Sequence, residues 1–209
     1  MEPITMKRAK FFLLLVVLMT FPMIQNCGGN SNGGGTSNLI VSDRLINEGW
    51  DAIKLGNYST AQASFANALK EPLTEGQRAS AHSGMGWALS KNGKILESIP
   101  YFEIAAEKDN EAKVGLAGAL IYRHQTTVDY IRAAEMLGNM PPEKFAPQHS
   151  GLSLNAAKVH ALAALSYALA GDMEQARFYM NKAAALDSMM VGTSVDQLDE
   201  AFFLLGWKN

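Results

Sequence analysis

Two stretches of this chain, residues 42–70 and 79–106, can be laid over each other at a fixed offset of 37 with matching residue types. Gly49-Trp50 falls on Gly86-Trp87, Lys54 on Lys91, Gly56 on Gly93, Phe65 on Phe102 and Ala68 on Ala105. The skeleton returns a third time, because Gly171, Ala176, Met180 and Ala183 keep the spacings of Gly56, Ala61, Phe65 and Ala68. A period of roughly 20–50 residues marks an array of supersecondary units, each able to bury its apolar face only against neighbours. That predicts a function carried by a stacked surface rather than by a pocket gathered from distant loops.

Beyond Asn38 no strand-like alternation persists, and apolar residues recur at helical spacing. The pattern predicts helix pairs at 42–55 with 58–70, 78–91 with 95–108, 111–124 with 127–138, and 154–170 with 173–186. A last helix is expected at about 195–206, opened by the capping-box spacing of Ser194 and Gln197. Gly56-Asn57, Asn92-Gly93 and Gly171-Asp172 sit between the helices of their pairs, where a residue at positive φ ends the first helix. Pro141, Pro142 and Pro147 make residues 139–153 the longest irregular stretch, which reads as a spacer.

The N-terminal 26 residues read as a secretory leader: basic Lys7, Arg8 and Lys10 precede an apolar run from Phe11 to Phe21 that is short for a membrane span. Cys27, the sole cysteine, follows directly. Residues 28–38 (GGNSNGGGTSN) carry no charge and no apolar side chain, so a flexible tether over 27–38 is expected before a domain at 39–209. The leader contains three of the 18 Lys+Arg and one of the 20 Asp+Glu, which leaves the remainder at a net charge of −4. With no basic tract in that remainder, nucleic acid is not an expected partner.

Two resemblances follow from these residues. Met23-Ile24-Gln25-Asn26-Cys27 is similar to a bacterial lipobox, although Gln25 and Asn26 depart from its small residues. The resemblance implies lipidation of Cys27 and anchoring at the envelope, with Gly28 in place of an aspartate implying the outer membrane; ordinary signal cleavage leaving a free thiol is the other reading. The repeats resemble the tetratricopeptide repeat: Gly49, Tyr58, Ala61, Phe65, Ala68 and Pro72 in the first, Gly86, Ile95, Phe102 and Ala105 in the second, Ala164, Tyr167, Ala176, Met180 and Ala183 in the fourth. The third is degenerate, with Gly118 and Tyr122 but no glycine turn. This implies an all-α, tetratricopeptide-like α-solenoid of about four repeats (42–75, 79–110, 111–144, 154–187) with a capping helix at 194–206.

No residue pattern points to chemistry. His82 and His160 each precede a small mid-helix residue by four positions and read as core or half-buried histidines. Neither an i, i+4 histidine pair nor a nearby carboxylate cluster suggests a metal, and no Gly-x-Ser-x-Gly elbow or phosphate loop is present. No cofactor or catalytic residue is expected. Glu103, Glu107 and Glu111 read as a solvated stripe.

In tetratricopeptide arrays the first helices line a concave groove. The resemblance therefore places Trp50, Ile53 and Lys54, then Trp87, Ser90 and Lys91, and then Tyr122 and Arg123 in that groove, with the tryptophans either contacting a ligand or packing on the next helix. The lysines would pair an acidic group. The expected role is non-catalytic binding of a protein or peptide partner at a bacterial envelope, in general build like small lipoproteins that help assemble outer-membrane proteins or pili. The alternative is a small-molecule or lipid-binding module using the same aromatic groove.

Overall fold

The computed structural model describes residues 34–140 and 145–187, and among them the chain is all-helical. Eight helices follow in order: α1 (Gly34–Lys54), α2 (Tyr58–Ala68), α3 (Glu75–Lys91), α4 (Ile95–Ala105), α5 (Asn110–Arg123), α6 (Thr127–Gly138), α7 (Ala156–Ala170) and α8 (Met173–Leu186). A 3-10 turn at Ser150–Leu152 interrupts the α6–α7 connection. The leader, Cys27 and the expected capping helix at 194–206 lie outside the described residues.

Local chemistry sets the ends. Gly56, Gly93 and Gly171 take φ of 75°, 80° and 91° at the turns inside the first, second and fourth pairs, a region that costs glycine nothing because it has no β-carbon. The third pair lacks a glycine there, and His124 occupies the left-handed position instead at φ 36°, its Nδ1 2.6 Å from the Tyr122 carbonyl. Side chains supply the N-terminal acceptors that a helix cannot supply itself. Thr74 and Gln77 form a reciprocal capping box on α3, Asp109 accepts from the Ala112 N–H on α5, and Asn155 and Asp172 do the same on α7 and α8.

The largest departure from the expected boundaries is in the first helix, while α3 starts at Glu75 rather than 78 and α4 ends at Ala105 rather than 108. α1 begins at Gly34, inside the stretch expected to be coil. Ile46, Trp50 and Ile53 are buried and anchor its C-terminal half. Once that nucleus stands, each further residue needs only one hydrogen bond, so the helix propagates into poor helix formers.

The helices pack as neighbours in pairs, and the odd-numbered helices additionally meet each other: α1 with α3, α3 with α5, α5 with α7. Small residues make this approach possible. The Phe65 ring lies between Gly49 of α1 and Gly84 of α3, where an added β-carbon would come within 2.6 Å and 2.1 Å of it. Phe102 repeats the arrangement between Gly86 and Gly115, at 2.6 Å and 2.4 Å. Ala61, Ala68, Ala105, Ala176 and Ala183 are all buried at helix contacts. Most of the described interior is one apolar cluster running from Ile46 to Tyr179, with a small second one of Ala157, Ala161 and Ala183 between α7 and α8.

Candidate functional site

The row of odd-numbered helices presents a face, and a stretch of the chain itself crosses it. Between α6 and α7 the backbone doubles back to the first helix pair, burying Phe145, Leu152 and Leu154 and leaving Gln148, Ser150 and Ser153 exposed. The physical reason is local. Pro147 keeps the preceding residue extended, and Ser153 takes a left-handed φ of 57° that ends the 3-10 turn.

Three contacts fix the middle of this segment. The His149 imidazole stacks flat on the Trp50 indole, with centroids 3.5 Å apart and planes 10° apart. The Gln148 and His149 N–H groups both donate to Glu111 Oε1, at 2.7 Å and 2.9 Å, and His149 Nδ1 lies 2.5 Å from Glu111 Oε2. Gly151 lies against α1 so closely that a β-carbon there would be 2.8 Å from the Lys54 Cα. Lys158 Nζ then donates to the Ser153 carbonyl where the segment enters α7.

Glu111 is the electrostatic centre of this arrangement. Its residue is 2% exposed, and a carboxylate so far from water is tolerated only when donors saturate it. Two consecutive main-chain N–H groups and one imidazole do so. The exchange with water is close to balanced for neutral donors and more favourable for charge-assisted ones. This corrects the reading of Glu103, Glu107 and Glu111 as one solvated stripe. Glu103 and Glu107 are exposed, and Glu103 pairs with Arg132 at 2.8 Å. α4 ends at Ala105 and α5 restarts at Asn110, so the helical register resets and Glu111 turns inward.

The residues expected to line the groove separate into four situations. Trp87 is 0% exposed and Trp50 8%, so neither offers a ring face to solvent. Each packs edge-on against the phenylalanine of its own repeat, Trp50 on Phe65 at 5.4 Å and Trp87 on Phe102 at 5.3 Å, both at 75°. Trp50 Nε1 also donates to Ser80 Oγ at 3.0 Å. Their recurrence therefore records a core pairing, not two surface plates, and only Trp50 also meets the crossing segment. Ile53 and Ser90 are buried as well, Ser90 donating to Ser98 Oγ at 2.9 Å.

Lys54 is exposed and lines an open cleft with Asn47, Trp50, Asp51, Gln148, His149, Ser150 and Gly151. Lys91 is partly buried, and its ammonium is held below the ordinary lysine range, first by burial and then by the positive charge of Lys158. Tyr122 (45% exposed) and Arg123 belong to a different, apolar cleft with Leu96, Tyr130, Leu165 and Leu169. Arg123 is engaged there in a two-point ion pair with Asp129, at 3.1 Å and 2.5 Å, which raises its pKa through that hydrogen bond.

Spacing alone did not reveal Glu111, His149 or Gly151. Among the described residues no group of three His, Cys, Asp or Glu is placed to hold a metal ion, and no helix is long and apolar enough to cross a membrane. His160 is fully buried and His82 half-buried, its imidazole pKa lowered by burial and by the charge of Arg78. The chain matches no family model, and a search of the curated proteins returns no match.

Proposed function

We propose that the protein is a non-catalytic, tetratricopeptide-type α-solenoid adaptor. In this reading it is exported to a bacterial envelope and held there through Cys27, and it binds an extended segment of a protein partner across its odd-numbered helices. The observation that carries the reading is the seat of residues 145–154: the face of the odd-numbered helices already accommodates a stretch of irregular chain, closed by a 3-10 turn, through paired main-chain N–H groups, a ring stack and a close backbone approach. These are the ordinary means by which a groove recognises peptide rather than small ligand. The cleft beside the segment is open and lined by Asn47, Asp51 and Lys54, a form that suits a peptide better than an enclosed apolar molecule. The leader and its lipobox-like end support the location.

The test places a photoreactive side chain at Asp51, exposed beside the cleft, and separately at Ile104, exposed on α4. Irradiation in cells is expected to cross-link a discrete protein from position 51 and not from position 104. Equal or absent cross-linking at the two positions would remove the adaptor reading.

A further inference from the structure

We infer that residues 145–154 are a resident ligand of the face of the odd-numbered helices, and that the partner competes for the same seat with a segment of like chemistry and like turn. The inference rests on the adaptor reading and adds to it the nature of the partner. The seat specifies four features in order. Two successive main-chain N–H groups must reach Glu111, as those of Gln148 and His149 do. A flat ring at the second of these positions must lie on Trp50, as His149 does. A glycine must follow two residues later, because the Lys54 backbone leaves no room for a β-carbon. A buried leucine completes the set, since Leu152 is 0% exposed. The partner segment is thus ring–x–Gly–Leu, with the last three residues in a 3-10 turn like Ser150–Leu152, entered by a residue with an N–H.

Phe145, Leu152 and Leu154 of the segment sit in the core cluster and must be matched by whatever replaces them, and two observations bear on that exchange. α6 and α7 pack directly on each other, so the fourth pair stays docked without help from the connection between them. The polar hold on the middle of the segment is concentrated in the Glu111 carboxylate, while Gln148 and Ser150 point to solvent. A partner offering the same donors and ring replaces like with like. Glu111 also supplies a reason for a resident ligand: a carboxylate recessed in an apolar face is costly when no donor meets it, and the segment keeps it satisfied until a partner arrives.

The full chain and two variants test this with one probe, a fluorescent synthetic peptide of residues 145–155 (FAPQHSGLSLN). Gly151→Val expels the segment by bulk against Lys54, and Gln148→Pro/His149→Ala removes one of its two main-chain donors together with its ring; neither change touches the receiving face. If the resident segment holds the seat most of the time, the peptide binds either variant at least about tenfold more tightly than the unchanged chain. Adding Glu111→Ala to the variant abolishes that gain. Equal binding to variant and unchanged chain, or no binding to a variant that keeps its helical circular dichroism, overturns the inference. So does failure of both variants to fold, since a segment indispensable to folding is not vacated for a partner. Peptide capture without cross-linking at Asp51 would sink the adaptor reading alone, and cross-linking without peptide capture would sink the resident ligand alone.

Discussion

Gly84 has no side chain because Phe65 occupies its place: a β-carbon built on Gly84 falls 2.1 Å from Cζ of that ring. Gly49 hems in the same end of the ring, since a β-carbon built there would also fall 2.6 Å from Cζ. Gly84→Ala is therefore expected to overpack the contact between the first and second helix pairs and to lower stability by about 1–3 kcal/mol. Gly76, in the first turn of the same helix, has nothing within 4 Å of the added carbon, so Gly76→Ala is expected to stabilise by about 0.5–1 kcal/mol through better helix propensity. Thermal melts of the two single variants give opposite signs if the wedge is real. A Gly84→Ala protein melting with the wild type refutes it.

Trp87 is fully enclosed and rests edge-on against Phe102. Trp87→Ala is expected to cost about 3–5 kcal/mol, the range for emptying a buried aromatic site. Ala105→Leu, at a residue with no exposure, should cost about 1–3 kcal/mol by overpacking. Urea denaturation of each checks both values. A Trp87→Ala midpoint unchanged from wild type would place that ring at the surface after all.

Burial lifts the Asp109 carboxyl above its ordinary value, against the opposing hydrogen bond from the Ala112 N–H that it caps. A group whose folded pKa lies above its unfolded one contributes most when both states are protonated, and that contribution is lost as pH rises through the folded value. At neutral pH the buried charge is thus a cost. Asp109→Asn keeps the capping acceptor without the charge and is expected to raise the melting temperature at neutral pH, the gain shrinking as pH falls through the raised value. Asp109→Ala loses the cap, at about 1 kcal/mol. Melting curves of the three proteins against pH decide the matter, and a pH-independent difference between Asp and Asn would show that the charge is not penalised.

Cys27→Ser is expected to move the protein from the membrane fraction to the soluble one, as several acyl chains at about 0.8 kcal/mol per buried methylene hold a soluble domain to a bilayer. Unchanged partition on fractionation would exclude the anchor.

The pair architecture was legible because its causes are local. Gly56, Gly93 and Gly171 announce positive-φ turns within a few residues of sequence, and the alanine–phenylalanine skeleton repeats at fixed spacing. Even the degenerate third repeat was visible as a missing glycine, which the structure resolves by placing His124 in the left-handed region. The site was much less legible. Periodicity assigns a residue to a face of its own helix but is silent on what a distant stretch lays over that face. Trp50 was assigned to an open groove, and His149, far along the chain, covers it. Glu111 is misplaced for a second reason: its spacing carries the stripe of Glu103 and Glu107 past the exit of one helix, whereas Asp109 caps a new helix whose register turns Glu111 inward. The signal present in the sequence was the combination of a proline, a histidine and a glycine in one long connection (Pro147, His149, Gly151), which reads as a spacer until its contacts are known.

The stack of His149 on Trp50 has a bearing on timing. Chains are made from the N-terminus, and domains begin to assemble as they emerge. The first two helix pairs end at Ala105 and can close on Phe65 while His149 is still 44 residues (149 − 105) from being made. During that interval the indole and, later, the Glu111 carboxylate stand uncovered. The stack therefore closes only after the helices that hold the indole have been made, so the cover on Trp50 is a late addition to the fold.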